Sequence, residues 1–207
     1  MFVGRRIHRH YVYCSQTGRW MTYSIWRGIV SRAVLTFQKG DATIRVVSIT
    51  LAPIISMKIV IAADPFALGL KDALLAHLKE NGHDVVDVGA TKDKEIPYYA
   101  GAPIAAKMVQ EGKAERAILL CGTGMGMSVI ANRFKGVVAS VVESVYAAAM
   151  CRSINNANAL CLGSMLWGEW MAKDAVDIFL ATKFTQGFEQ LADFLQDAEK
   201  KVDAIRP

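Results

Sequence analysis

The chain has 207 residues, 53% of them hydrophobic, and this suits an ordinary globular domain with a core of its own. No apolar run reaches the roughly 18 residues expected of a membrane span. Its four cysteines form no CxxC pair or metal-site spacing, so we expect reduced thiols in a cytoplasmic protein. The net charge of +5 is uneven, because residues 1–56 hold eight basic residues and one acid, whereas the remainder is at −2. Without a basic excess, the main domain is not expected to bind nucleic acid.

The basic N-terminal extension, residues 1–56, has no clear helical or strand period. Three interpretations stay open. It could be a mitochondrial type of targeting segment, since it is rich in arginine and poor in acids. It could be an arm that touches RNA or a membrane. It could also precede the true translation start at Met57, which directly precedes a good first strand. The functional domain is therefore predicted at 57–207.

From Met57 onwards, short apolar runs suited to buried strands alternate with segments of helical spacing. Strands are predicted at 58–63, 84–88, 117–120, 136–141 and 159–162. Helices are predicted at 68–80, 97–110, 127–133, 144–154, 167–181 and 188–202. This alternation predicts an α/β fold, a doubly wound (Rossmann-like) αβα sandwich with a five-stranded parallel sheet.

The third predicted strand runs into a glycine-rich turn, Cys121-Gly-Thr-Gly-Met-Gly126, which opens a helix. Glycines let a ligand approach the backbone, and the amides at a helix start attract anions. No Gly-Lys-Ser/Thr follows, and the spacing of a dinucleotide fingerprint is missing. A thiol beside an anion cradle suits enediolate or acyl chemistry. The alternative is a tight turn that merely needs glycine, with Cys121 as a small core residue.

Ligands of such folds collect beyond the carboxyl ends of the parallel strands. Asp64 follows the first strand, Cys121 follows the third, and Asn155 with Asn156 precedes the fifth. We expect these three positions to converge on one edge of the sheet. Asp64 can cap the next helical turn, bind substrate hydroxyls, or do both, and the asparagines can simply form a turn. No histidine is expected beside these positions.

Several blocks together resemble the ribose-5-phosphate isomerase B family, which includes the galactose-6-phosphate isomerase subunits. The resemblance extends from Met57 to about Val202. Its blocks are Ile59-Val-Ile-Ala-Ala-Asp64, Pro97-Tyr-Tyr-Ala100, Cys121-Gly-Thr-Gly-Met-Gly126, Ala131-Asn132, Arg152-Ser-Ile-Asn-Asn156 and Leu162-Gly-Ser164.

This resemblance implies an aldose–ketose isomerase of sugar phosphates that uses no metal or other cofactor and forms a homodimer or homotetramer. It implies that Cys121 removes the proton next to the carbonyl to give a cis-enediolate. The Thr123 hydroxyl and the loop amides would stabilise the oxyanion, and Asp64 and Asn155 would hold substrate hydroxyls. The substrate-binding residues expected on this basis are Asp64, Gly122, Gly124, Met125, Gly126 and Asn155.

Four departures from the family pattern limit this transfer of roles. Pro65 and Ile154 stand where histidines are expected, and the second of these histidines is thought to open a furanose ring. Met165 replaces an arginine, and 188–194 contains no phosphate-binding arginine. We therefore expect an acyclic substrate such as a tetrulose phosphate. The alternatives are a phosphate held by other cations, with Lys71, Arg133 and Arg152 available, or a substrate that is not phosphorylated.

Two other function classes stay open at this point. A catalytically weak subunit could bind a sugar phosphate or support an active partner, since the expected histidines and arginines are missing. The retained thiol at Cys121 argues against it. A nucleotide-binding regulator on a similar fold is the remaining alternative.

Overall fold

The computed structural model describes residues 8–14, 19–25, 36–39, 42–45 and 56–205. The chain divides into two compact units, Met1–Pro53 and Ile54–Pro207. The first unit contains two antiparallel strand pairs, β1 (His8–Cys14) with β2 (Arg19–Ile25) and β3 (Thr36–Lys39) with β4 (Ala42–Arg45). The sequence shows no clear period there, because aromatic, threonine and arginine residues are mixed along these strands, although Tyr, Thr, Val and Ile favour extended backbone. The three interpretations of residues 1–56 stay predictions.

The second unit is built on the predicted five-stranded parallel sheet, with strand order β6-β5-β7-β9-β8. Its strands are β5 (Lys58–Ala63), β6 (Asp84–Asp87), β7 (Arg116–Cys121), β8 (Ala139–Val141) and β9 (Ala159–Gly163). The three central strands are buried almost throughout, as expected of a parallel sheet that is covered on both faces. This confirms the predicted fold class.

Helices cover both faces of this sheet and form two cores. They are α1 (Leu68–Glu80), α2 (Tyr98–Gln110), α3 (Met125–Ala131), α4 (Val145–Asn155), α5 (Glu169–Ala181) and α6 (Ala192–Ile205). Side chains of α1, α4 and α5 fill the core on one face, and those of α2 and α3 fill the core on the other. No helix within the described residues is long and apolar enough to cross a membrane.

Several element boundaries differ from the prediction, and three of these differences have a local reason. Helix α3 begins two residues early, directly after Gly124, which adopts a left-handed conformation. Strand β8 begins three residues late, since Gly136 before it has a φ of +76° and leaves the extended region. Helix α6 begins late because residues Glu189–Leu191 form a separate 3₁₀ turn.

Candidate active site

The carboxyl ends of three neighbouring strands meet at the centre of the sheet. Ala63 of β5 lies opposite Leu120 of β7, and Cys121 lies opposite Gly163 of β9. The Asp64 N–H continues this ladder by donating to the Leu120 carbonyl at 3.1 Å. Asp64 and Cys121 therefore lie side by side at the same edge of the sheet, as predicted.

These two residues occupy the topological switch point of the fold. Helix α1 leads from β5 to β6 on one side, and α2 then leads across the opposite face to β7, on the other side of β5. The two connections diverge and leave a crevice beyond the ends of β5 and β7. Ligands of open α/β sheets bind in such crevices.

The Cys121 thiol is buried and lies inside the turn that follows it. Its Sγ accepts a hydrogen bond from the Gly124 N–H at 3.1 Å. Gly124 has a φ of +79°, and a Cβ there would lie 3.1 Å from the Leu162 carbonyl carbon, so glycine is required for two reasons. An N–H directed at sulfur stabilises negative charge on it, as a base at this position needs.

The other polar groups of the turn divide into two sets. The Thr123 hydroxyl accepts the Met125 N–H at 3.4 Å, so the Gly124 and Met125 amides are both engaged within the turn. Among the described residues of 122–126, the amides of Gly122, Thr123 and Gly126 are the remaining candidate donors to a substrate oxyanion. Only some of the loop amides are therefore available to bind the anion that the sequence predicts here.

Two side chains pack directly on the glycines at the ends of this turn. A Cβ on Gly126 would lie 2.8 Å from the Tyr98 ring, and a Cβ on Gly122 would lie 3.2 Å from Cε of Met165. Tyr98 begins α2 and Met165 follows β9, so they approach the turn from different elements. Tyr98 and Met165 bound the turn on the two sides where a substrate could enter.

Asp64 is 6% exposed and caps the 3₁₀ turn Pro65–Ala67 by accepting the Phe66 N–H at 3.0 Å. Burial raises the pKa of its carboxyl, and this outweighs the opposite effect of the backbone hydrogen bonds from Phe66 and Ala67. The predicted capping role is confirmed, and the predicted contact with substrate hydroxyls stays a prediction.

Asn155 does not join this site within one chain. It ends α4, which runs back along the sheet, and the nearby Asn158 carbonyl accepts the Ala117 N–H at the start of β7. Cys121 ends the same strand, four residues after Ala117, or roughly 13 Å away at 3.3 Å per residue. The expectation that Asn155 shares an edge with Asp64 and Cys121 is therefore wrong, because the residues before a parallel strand lie at the amino edge of the sheet.

The three cations considered for a phosphate do not lie free at this edge either. Lys71 is 1% exposed, and its Nζ contacts Asp87 Oδ2 and the Ala90 carbonyl, both at 2.6 Å. Arg152 is buried and donates to the Ala157 carbonyl at 2.6 Å, and burial lowers its pKa to about 10. Arg133 is exposed but follows α3 at the amino edge. Their expected availability is not supported by these contacts.

The two histidines of the second unit lie away from the site. His77 is in the last turn of α1, where its Nε2 contacts Asp177 Oδ1 at 2.7 Å. His83 accepts the Met57 N–H on Nδ1 at 3.3 Å, and burial lowers its pKa. Both belong to the amino edge, so within 56–205 no histidine stands beside Cys121, as expected.

Sequence reasoning missed the contribution of the segment after β9. The Ser164 N–H donates to the Cys121 carbonyl at 2.9 Å, and the Met165 N–H donates to the Gly122 carbonyl at 3.0 Å. The signal available in the sequence was Gly163-Ser164 directly after the fifth predicted strand. A role for these residues needed the strand order, which the sequence pattern left open.

Comparisons with known proteins agree with this geometry. Residues 59–193 match the family model described as Ribose/Galactose Isomerase. The 4-deoxy-4-sulfo-D-erythrose isomerase of Clostridium sp. (strain MSTE9) is 44% identical over 152 residues, 72% of this chain and 95% of that protein. The D-erythrulose-4-phosphate isomerase of Pectobacterium atrosepticum is 35% identical, over 63% of this chain and 87% of that protein. The crystal structure of a Thermotoga maritima ribose 5-phosphate isomerase has a TM-score of 0.65 at 35% identity, over 72% of this chain and 98% of that chain.

Proposed function

The chain belongs to the ribose/galactose isomerase family of aldose–ketose isomerases, and we propose that it acts on a four-carbon sugar with a terminal anion. The observation that carries the proposal is the Cys121 thiol at the switch point, with an N–H on its sulfur and the Asp64 carboxylate beside it. These are a base, a charge-stabilising turn and a hydroxyl acceptor within one crevice.

The proposed chemistry is a proton transfer between neighbouring carbons. The Cys121 thiolate takes the proton from the carbon next to the carbonyl, and the electrons of that C–H bond move into a cis-enediolate. The S–H then returns the proton to the other carbon, while a hydroxyl proton passes between the two oxygens. No electron leaves the sugar, so the step needs no oxidant or reductant.

The turn after Cys121 would stabilise the charge that develops on oxygen. Amides of Gly122, Thr123 and Gly126 are the donors that we assign to this role, because those of Gly124 and Met125 are engaged within the turn. Preorganised donors of this kind are worth about 10²–10³ in rate each. The Asp64 carboxylate would accept a hydrogen bond from a substrate hydroxyl.

Within residues 56–205, no histidine stands at the site, and this supports an acyclic substrate. Ile154 stands where the ring-opening histidine is expected, Pro65 stands where the other histidine is expected, and the histidines of 56–205 lie at the amino edge. A four-carbon sugar that carries its anion on the fourth carbon cannot close the usual ring through that position, so it needs no acid to open one. Two relatives are named for four-carbon sugars of this kind.

The charge of the crevice favours a sulfonate over a phosphate. Segments 64–67, 122–124 and 164–168, which follow β5, β7 and β9, contain no lysine or arginine. Lys92 and Lys94 on the loop after β6 are exposed. A phosphate monoester carries −1.5 to −2 charges at neutral pH, whereas a sulfonate carries one. We therefore expect 4-deoxy-4-sulfo-D-erythrose to be the better substrate.

Asn155 can serve this site only if a second copy of the chain presents it. Within one chain it lies at the opposite edge of the sheet from Cys121. We therefore keep Asn155 as a substrate ligand that acts across an interface in a homodimer or homotetramer. In such an assembly, a two-fold symmetric contact would place the amino edge of one copy against the carboxyl edge of its partner.

Interconversion of sugar pairs tests the proposal. The purified full chain is incubated in D₂O with 4-deoxy-4-sulfo-D-erythrose, D-erythrulose 4-phosphate or ribose 5-phosphate, and proton NMR follows exchange at the carbon next to the carbonyl. We expect kcat/KM for the sulfonate to exceed that for ribose 5-phosphate by at least about tenfold, or 1.4 kcal/mol. Equal or higher kcat/KM for ribose 5-phosphate would contradict the four-carbon proposal.

Variants of Cys121 separate an isomerase from a binding subunit. Cys121→Ala should lower kcat by about 10³ or more, because no other thiol lies in the turn. Cys151→Ser is the matched control, since Cys151 is a buried thiol in the core on the opposite face of the sheet. A Cys121→Ala variant with unchanged kcat, or a wild-type chain that binds the sugars without turnover, would favour the binding subunit.

A further inference from the structure

The segment after β9 is fastened to the turn that carries Cys121. The Ser164 N–H donates to the Cys121 carbonyl at 2.9 Å, and the Met165 N–H donates to the Gly122 carbonyl at 3.0 Å. A Cβ on Gly163 would lie only 2.7 Å from the Thr123 backbone, so the two main chains are in direct contact. The position of Ser164 is therefore fixed relative to the thiol.

The Ser164 side chain reaches from this segment to the turn after β5. Its hydroxyl donates to the Phe66 carbonyl at 3.0 Å, across 98 residues of sequence. The N–H of the same Phe66 donates to Asp64 Oδ1 at 3.0 Å. One residue thus receives the serine hydroxyl on its carbonyl and holds the aspartate carboxylate with its amide.

These contacts close a ring through both proposed site residues. It runs from the Asp64 N–H to Leu120, along the chain to Cys121, from the Cys121 carbonyl to Ser164, and through Phe66 back to Asp64. A closed ring of directional hydrogen bonds limits the distance between the carboxylate and the thiol.

Apart from its hydrogen bonds with Ser164 and Asp64, Phe66 has few contacts that hold its peptide in place. The Phe66 ring is 75% exposed, and Pro65 has no N–H to donate. Ala67 is buried and donates to the Asp64 carbonyl at 3.1 Å, which fixes the far end of the turn. The peptide of Phe66 depends on the Ser164 hydroxyl for a link to the strand ends opposite.

We infer that Ser164 is a positioning residue that holds the Asp64 carboxylate beside Cys121. This inference rests on the proposed function, in which the carboxylate binds a substrate hydroxyl and the thiol is the base. The hydroxyl does not touch the reacting atoms. It acts through Phe66, so its removal should matter only while the Asp64 carboxylate is present.

A double-mutant cycle tests the inference on the full chain. Ser164→Ala should lower kcat/KM for 4-deoxy-4-sulfo-D-erythrose by about tenfold, a loss in the range expected of sub-ångström misplacement. Ser164→Thr, which keeps the hydroxyl, should stay within about threefold of wild type. In the Asp64→Asn background, Ser164→Ala should cause less than about a twofold further loss, because residues that act as a unit are not additive.

A control removes a similar link that lies away from the site. Gln110 donates from its exposed side chain to the Lys135 carbonyl at 3.1 Å, joining the end of α2 to the loop before β8 at the amino edge. Gln110→Ala should leave kcat/KM unchanged. Melting temperatures of all variants show whether a loss of activity follows a loss of folded protein.

The outcomes separate this inference from the proposed function. Full activity in Ser164→Ala, or equal losses from Ser164→Ala in the wild-type and Asp64→Asn backgrounds, would overturn the positioning role. If Cys121→Ala and Asp64→Asn are both fully active, the proposed function itself fails. If these two variants are impaired and only the Ser164 results disagree, the proposed function stands and the positioning role does not.

Discussion

Substitution of Gly163 by alanine tests whether the turn after Cys121 must stay in place for activity. The added Cβ would lie 2.7 Å from Cα and the carbonyl carbon of Thr123 and 2.9 Å from its oxygen. Ordinary van der Waals contact begins at 3.4 Å, so one of the two backbones must move by roughly 0.7 Å. All three close atoms are main-chain atoms, and no side-chain rotation relieves the clash.

The expected result is a large loss of activity with a smaller loss of stability. Overpacking of this kind costs about 1–3 kcal/mol in stability, whereas displacement of a catalytic group by about 1 Å costs about 10² in rate. We therefore expect Gly163→Ala to remain folded at 25 °C and to lose about 30- to 100-fold in kcat/KM. Deuterium exchange at the substrate carbon measures the rate, and thermal denaturation measures the stability.

Gly168→Ala is the matched control for this experiment. Gly168 lies five residues further on, with a φ of −77°, and a Cβ added there would meet no atom within 4 Å. This variant should keep wild-type activity. The reasoning is refuted if Gly163→Ala keeps kcat/KM within twofold of wild type, because the turn would then tolerate the displacement.

Three further predictions concern charge and assembly. Burial raises the pKa of Asp64, so its carboxyl contributes stability below the ordinary value near 3.9 and loses that contribution as pH rises through the folded-state pKa. Asp64→Asn should therefore raise the melting temperature at pH 7, and the gain should shrink towards pH 4; a gain that grows on acidification would contradict this. Lys71→Met should lower the free energy of unfolding by about 2 kcal/mol. This is less than the loss expected when a fully buried ion pair is broken, because Asp87 is 22% exposed. A changed KM in the folded variant would indicate that Lys71 does bind substrate. When Cys121→Ala and Asn155→Ala subunits are mixed and allowed to exchange, the mixture should regain about a quarter of wild-type activity. Half of the dimers are then mixed, and each mixed dimer has one intact site of two. No recovery would show that Asn155 does not act in the partner's site.

The sequence was sufficient to predict the fold and the edge of the sheet at which Cys121 lies. Periodicity predicted the five strands, and the family resemblance is confirmed by the match over 59–193. Asp64 and Cys121 were placed correctly because a residue that follows a parallel strand must lie at the carboxyl edge. This rule depends only on the direction of the chain, which the sequence provides.

Asn155 was misplaced because the same rule was not applied to it. Its position was judged by closeness in sequence to β9, but a residue before a strand lies at the other edge of the sheet. The prediction that Lys71 is available to hold a phosphate failed for a different reason, because its burial depends on packing between α1 and the loop after β6. Ser164 was missed because its partner is 98 residues away. The errors at Lys71 and Ser164 concern tertiary contacts, which no local pattern contains.

The hydrogen bond from Gly124 to the Cys121 sulfur has a consequence for how such an enzyme can change during evolution. The donor is a main-chain N–H, so no side-chain replacement elsewhere can delete it while the turn keeps its shape. By contrast, Ile154 and Met165 differ from the family pattern only in their side chains. Under the proposed function, proton transfer and substrate choice are thus carried by separate parts of the molecule. A lineage can therefore drift from one sugar to another by surface substitutions without first losing its chemistry.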